Sequence, residues 1–425
     1  MSSPERIDQT RRDAASQRRS IAVVMSRFPT VTETFILREM IEMERQQQPV
    51  RVVPMIREQP RVIHEAARPW TDRALYTPWL SGRIAAANLR LFLSRPLRYL
   101  SLLVRLVAGT IASPAVLART LAVFPKSVFL AEELAREGVR HVHAHYATHP
   151  STMALIIARL SAITFSFTVH AHDIQVDRSL LRWKLRETRF VRSISGFNRR
   201  FLENLYPKEA KGKIVVIHVG IEPEVYEESS RRLQPAAGPP RILCVAAHKP
   251  YKGLPVLIEA CRILRDDGIE LRCDIVGDGP MRAELEALIR DRGLEETVTL
   301  AGPRPQEEVA RMMAEARIFA LPSIIAADGQ MEGIPVALME AMASGRAVVT
   351  TSISGIPELV EHGVNGLLVE PGDAAAFAAA MKDLLRDPAR AAEMGRRGQE
   401  KVRAEFTLPD CVRQLVARLD EENRR

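Results

Sequence analysis

The chain has 425 residues, 46% of them apolar and 26% charged, a profile that suits a globular protein of two domains, each with its own core. Its formal net charge of +8 calls for an anionic partner, yet aromatic residues make up only 5%, which excludes a stacking platform for single-stranded nucleic acid. Cys244, Cys261, Cys273 and Cys411 show no Cys-x-x-Cys pairing or metal-ligand spacing, so neither a zinc site nor a disulfide framework is indicated, and a reducing cytosol fits.

Residues 1–20 are polar, rich in arginine and without an apolar signal core, and read as a disordered lead-in rather than a secretion signal. A first domain is expected over 21–233. It opens with a buried strand at 21–25, a loop, and a helix carrying Phe35, Ile36, Met40 and Met43 at helical spacing. Further strands are expected at 50–55, 139–143, 166–169 and 214–218, with histidines gathered in His143-Ala144-His145-Tyr146 and His170-Ala171-His172-Asp173.

Between the second and third of these strands, residues 73–131 contain eight lysines and arginines and no Asp or Glu. Leucines and valines fill the gaps between the arginines, for example Leu97, Leu100, Val104 and Leu106, as in a basic amphipathic helix lying on an anionic membrane surface. Arginines interrupt every apolar run before the roughly 20 residues needed to span a bilayer. The alternative is a helical cover over the core with a solvated basic face.

Residues 234–240 turn to Pro, Ala and Gly and mark a linker. A second domain is expected over 241–404. Its strands, at 241–246, 271–276, 298–301, 318–321, 347–351 and 366–369, alternate with helices across short Gly or Pro turns, the pattern of a doubly wound parallel sheet with its ligand site at the C-terminal strand ends. Residues 405–425 form a terminal helix.

The densest chemistry lies in Met331-Glu332-Gly333-Ile334-Pro335-Val336, followed by an apolar run through Glu340 to Ser344-Gly345. Pro335 suits a helix start, and free N–H groups there attract phosphate. Glu332 just outside that start and Glu340 two turns in are pure acceptors suited to sugar hydroxyls and to a ribose diol. This Glu-x7-Glu element, with Arg346-Ala347-Val348-Val349 and Gly355-Ile356-Pro357-Glu358 after it, resembles glycosyltransferase family 4. In the first domain, Ser26-Arg27-Phe28-Pro29, Thr32-Glu33-Thr34-Phe35 and the two histidine clusters resemble its exopolysaccharide, colanic-acid-type branch.

The resemblance implies an α/β fold of the GT-B type, with two doubly wound Rossmann-like domains facing a central cleft, and the terminal helix crossing back to the first. It implies a retaining transferase that moves a hexose-type sugar from a UDP- or GDP-sugar to a lipid-linked glycan acceptor in exopolysaccharide biosynthesis, on the inner face of the cytoplasmic membrane. Alternatives are a nucleotide-sugar epimerase or hydrolase on the same fold, or a non-catalytic membrane-bound scaffold. By the same resemblance, His170 and Glu332 are the catalytic candidates, and Lys252, Gly333, Ile334, Pro335, Val336 and Glu340 hold the donor. Glu33, Thr34, His172 and Asp173 lie on the acceptor side. Ala247 stands where the family has a phosphate-binding arginine, leaving Lys249 or Arg304 as replacements. No Asp-x-Asp triplet occurs, so lysine and helix N-termini are expected to neutralise the diphosphate without a required metal or other cofactor.

Overall fold

The computed structural model describes residues 20–30, 34–59, 65–79, 81–233 and 238–424. Glu33, the lead-in up to residue 19 and most of the expected linker fall outside them. The chain divides into two units: Met1–Ile194, Arg199–Ile217 and Val412–Arg425 form the first, and Ser195–Asn198 and His218–Cys411 the second. The division thus falls near residue 217, ahead of the Pro/Ala/Gly stretch, and the helix Leu408–Arg424 begins in the second unit and ends in the first.

The first unit is built on six parallel strands in the order β2-β1-β3-β4-β5-β6. They are β1 Ile21–Phe28, β2 Val50–Arg57, β3 His141–His145, β4 Thr164–Val169, β5 Val191–Ser193 and β6 Ile214–Val216. Parallel neighbours need helical crossovers that cover both faces, which is why the first five residues of β1 read as an unbroken apolar run. β3 starts two residues later than its sequence suggests. Gly138, at φ 78°, ends the helix Pro114–Arg136, and Val139 donates to Leu134 O at 3.0 Å, so Val139 completes the helix stop instead of entering the sheet. β5 escapes a reading by apolar runs because its middle residue is Arg192.

The second unit has six parallel strands in the order β12-β11-β10-β7-β8-β9: β7 Arg241–Val245, β8 Arg272–Val276, β9 Val298–Gly302, β10 Ile318–Leu321, β11 Ala347–Thr351 and β12 Gly366–Val369. The order reverses between β7 and β10, and a cleft opens beyond the carboxyl ends of strands at such a point. In the first unit the reversal lies at β1, between β2 and β3. Both sheets are Rossmann-like.

The acid-free segment forms three helices, Gly82–Ser94, Pro96–Thr110 and Pro114–Arg136. Leu102 and Leu106 pack inward, while Leu93, Leu97, Val104 and Ile111 stand exposed. The segment is acid-free in sequence only. Arg73 pairs with Glu44 at 2.7 Å, Arg83 with Glu133 at 3.3 Å and Arg90 with Glu132 at 2.6 Å, so acids from outside it cancel part of its charge. The helix Pro114–Arg136 is long and apolar enough to cross a membrane despite Arg119 and Lys126, but half of that window is buried within the fold, as expected of a core helix.

Candidate active site

In the second unit the sheet reversal gathers the expected donor residues. β7 runs into the turn Pro250–Lys252, and β10 into the loop that ends at the helix Val336–Ala343. The two loops are tied together by Ile324 N–H donating to Tyr251 O at 2.9 Å. Gly253, at φ 65°, makes this approach possible, since a Cβ there would lie 1.9 Å from Pro322 O. Lys252 and Glu332, assigned separate tasks from sequence, form a largely buried ion pair. Burial acts to lower the ammonium pKa, but the Glu332 carboxylate outweighs it and holds Lys252 above its ordinary value, so the lysine is charged.

Pro335 caps the helix that follows, in an extended conformation, one position before its expected place as first helical residue. Ile334 and Pro335 are buried, Gly333 and Val336 half-buried. The helix stops as its sequence requires. Gly345, at φ 68°, lets Arg346 N–H reach Ala341 O at 3.0 Å and its own N–H reach Met342 O at 2.9 Å, satisfying the last carbonyls. Glu340 is half-buried and accepts from Tyr226 Oη at 2.5 Å, and Tyr226 accepts in turn from Gln306 Nε2 at 3.2 Å. Neither Tyr226 nor Gln306 carried a sequence signal for this role. Arg304 does not join this group. It pairs with Glu308 at 3.6 Å and lines a surface cavity with Arg241, Arg272 and Asp274. Ala247 and Lys249 are exposed.

The first unit's histidines form a more elaborate arrangement than the sequence suggests. Every second residue of a strand points to one face, so His141, His143 and His145 of β3 lie beside Thr164, Ser166 and Thr168 of β4. His141 contacts Thr164 Oγ1 at 2.8 Å and Ser166 Oγ at 2.7 Å. His143 contacts the same Ser166 hydroxyl at 2.7 Å and Thr168 Oγ1 at 2.8 Å. Burial drives the His141 pKa down to about 3 and holds His143 well below its ordinary value, so both are neutral.

His170 stands at the end of β4. Its Nε2 lies 3.4 Å from His145 Nδ1, and its ring packs against Tyr146 and Phe35. Burial, then the neighbouring His145, hold its pKa well below the ordinary value, leaving a neutral ring that can donate at one nitrogen and accept at the other. Behind it, His145 Nε2 lies 3.3 Å from Glu39 Oε1, and Glu39 forms a short ion pair with Arg192. Burial pushes the Glu39 carboxyl up, but Arg192 and His145 more than reverse this and keep it ionised. Arg192 also donates to Ile217 O at 3.0 Å. Glu39 had a legible signal: it shares the buried stripe of Ile36, Met40 and Met43 on the helix Thr34–Arg45, where a carboxylate needs a partner.

Asp173 has a role other than the acceptor-side contact expected of it. It is buried, and its two oxygens accept from Ala147 N at 2.7 Å and from His170 N and Ala171 N at 2.9 Å each. This carboxylate holds a turn in which Ala171 adopts φ 130°, and so aims His170. His172 is exposed near Tyr146, and Thr34 begins its helix half-buried.

Two Rossmann-like domains, the second with charged groups and a helix start at its sheet reversal, define the GT-B class of α/β proteins. Residues 225–401, which lie within the second unit, match the family described as glycosyl transferases group 1. The chain is 47% identical over 209 residues to the amylovoran biosynthesis glycosyltransferase AmsK of Erwinia amylovora, covering 49% of this chain and 51% of that one. It is 43% identical over 210 residues to the putative colanic acid biosynthesis glycosyltransferase WcaL of Escherichia coli K12, with the same coverage. The chain spans about half the length of the curated relatives it matches. HepE of Anabaena, solved with UDP and glucose, superposes with a TM-score of 0.65 at 18% identity, covering 94% of this chain and 99% of that one, a likeness of fold.

Proposed function

We propose that the chain is a retaining glycosyltransferase that moves a hexose-type sugar from a UDP- or GDP-sugar to a lipid-linked glycan acceptor in exopolysaccharide assembly, working at the cytoplasmic membrane face. The observation that carries this reading is the juxtaposition of Lys252, Glu332, Glu340 and the Val336–Ala343 helix start at the sheet reversal of the second unit. Lys252 and the free N–H groups of that helix start are suited to the diphosphate, which gains negative charge as it leaves. Glu340, held by Tyr226, is suited to the ribose diol, and Glu332 to the donor sugar. The acceptor oxygen bonds to the anomeric carbon on the face from which the phosphate oxygen departs, and that oxygen takes the acceptor's proton. In the first unit, His170 is suited to sugar hydroxyls as a neutral donor and acceptor. Support for the pathway comes from the relatives named for amylovoran and colanic acid biosynthesis, and for a uridine nucleotide from HepE.

The test is a thermal-shift screen of UDP- and GDP-sugars on the full chain, followed by transfer assays with the stabilising donor in the presence of EDTA. A donor that raises the melting temperature, transfer that persists in EDTA, and a His170→Ala variant with lower kcat but unchanged donor affinity are the expected results. Donor turnover independent of any acceptor, or donor binding with no transfer to any acceptor, overturns the reading.

A further inference from the structure

We infer that the first unit holds a second ligand site, a cavity for the phosphate headgroup of an anionic membrane lipid. The cavity has a volume of about 640 Å³ and is lined by Arg105, Arg178, Arg182 and Arg186 together with Trp183 and Tyr206. It shares no residue with the histidine cluster or with the donor residues.

Four guanidiniums meet here against a single carboxylate on the lining. That carboxylate, Glu187, is already engaged, accepting from Trp183 Nε1 at 3.3 Å and pairing with Arg159 at 3.4 Å. Arg182 and Arg186 share a single counter-charge, pairing with Glu209 at 3.7 and 3.6 Å, and Arg105 has no ion pair among the described residues. The site is therefore cationic, and guanidinium is the side chain that matches phosphate oxygens two at a time. The other part of the lining is apolar. Trp183, Tyr206, Leu180 and Leu181 give the cavity a wall that a free inorganic anion would not use but a glycerol backbone and the first methylenes of an acyl chain would.

The cavity wall also depends on an unusual local conformation. Leu180 sits at φ 60°, in the left-handed region that non-glycine residues rarely adopt, and its side chain packs directly over Gly109. A Cβ on Gly109 would lie 2.3 Å from Leu180 Cδ2. The helix Pro96–Thr110 that supplies Arg105 and Gly109 also carries Leu97, Leu100 and Val104 at a spacing of three and four, and Ile111 follows one residue beyond its end. These four form an outward ridge exposed by 83, 45, 64 and 64%. Arginines in a cavity beside an unpartnered apolar ridge match a lipid with an anionic head and an apolar tail, and charge complementarity selects the anionic phospholipids over the zwitterionic ones.

This extends the membrane part of the proposed function and is independent of its transfer chemistry, so it is tested without donor or acceptor sugar. The full chain is titrated with dihexanoyl phosphatidic acid below its micellar concentration and followed by calorimetry and tryptophan fluorescence. Parallel arms use dihexanoyl phosphatidylcholine and inorganic phosphate. The expected result is saturable binding of the phosphatidate, at least tenfold weaker binding of the choline lipid and of phosphate, and a dissociation constant raised at least tenfold by Arg182→Gln with Arg186→Gln. Arg105→Gln, at an exposed position, is expected to weaken binding several-fold with an unchanged melting temperature, which separates loss of the site from loss of the fold. Trp183→Phe is expected to remove the fluorescence change. Unchanged affinity in the arginine variants, a fluorescence response that persists in Trp183→Phe, or phosphate binding as tight as the lipid overturns the inference, the last by reducing the cavity to a free-anion site.

Discussion

The two sheet reversals of this molecule solve different problems with the same topology. In the first unit most of the polar residues sit on the strands, with Glu39 facing them from a helix, in a buried layer where each donor and acceptor has to be matched. In the second they sit beyond the strand ends, on loops that glycine allows to pack closely, where Lys252 and Glu332 form a largely buried pair. A polar network within a sheet is thus rigid and serves mainly to aim one residue, His170. A pair of loops joined by an ion pair lies instead where the sheet reversal opens a cleft, the place a donor site demands.

The sharpest test compares the two ion pairs. Arg192→Met leaves Glu39 buried and uncompensated and is expected to cost about 3–5 kcal/mol in urea unfolding, with much of the loss recovered by adding Glu39→Gln. Lys252→Met is expected to cost less in stability and more in donor affinity, since Glu332 keeps part of its exposure. Equal stability costs would remove the distinction between the two regions.

Acid should also separate them. His141, His143 and His170 all have folded pKa values below the ordinary 6.5, so below pH 6.5 the unfolded chain binds more protons, down to about pH 3 at His141. Their stabilising contribution is complete above pH 6.5 and is lost progressively as pH falls below it, by up to about 1.4 kcal/mol per pH unit for each histidine. Trp70, Trp79 and Trp183 all belong to the first unit, so tryptophan-detected urea midpoints at pH 7 and pH 5 report it selectively. A midpoint that does not move would show that the histidines are not held neutral.

The smallest effects concern the donor loop pair. Glu340→Gln is expected to weaken donor binding by about 1.5–3 kcal/mol, the range for a hydrogen bond to a charged group. Tyr226→Phe, which removes only the neutral partner of that carboxylate, should cost about 0.5–1.5 kcal/mol. Calorimetry with the nucleotide sugar checks both, and a larger loss from the tyrosine would reverse their ranks.

Much of the second unit could be read from sequence, because its signals are local. Alternating strand and helix periods, Pro335 at a helix start and Ser344-Gly345 at its end are consequences of backbone geometry within a few residues, and they put Glu340 on that helix and Glu332 in the loop before it. The first unit was less legible. A three-residue strand with Arg192 at its centre has no apolar run to announce it, and Val139 was lost to a helix stop.

The sequence alone was sufficient for the strands of the second sheet, for five of the six described in the first, and for the loop that carries Glu332, since each rests on spacing along one stretch of chain, while the candidacy of His170 came from family resemblance. Only the tertiary structure decided that Lys252 and Glu332 form a pair, that Tyr226 holds Glu340, that Asp173 supports a turn, and that Glu39 and Arg192 stand behind His145. Those partners are separated by many residues, apart from Asp173, whose task depends on burial. What brings them together is the order of the strands and the requirement that a buried charge find its counter-charge, and neither is written in any local pattern.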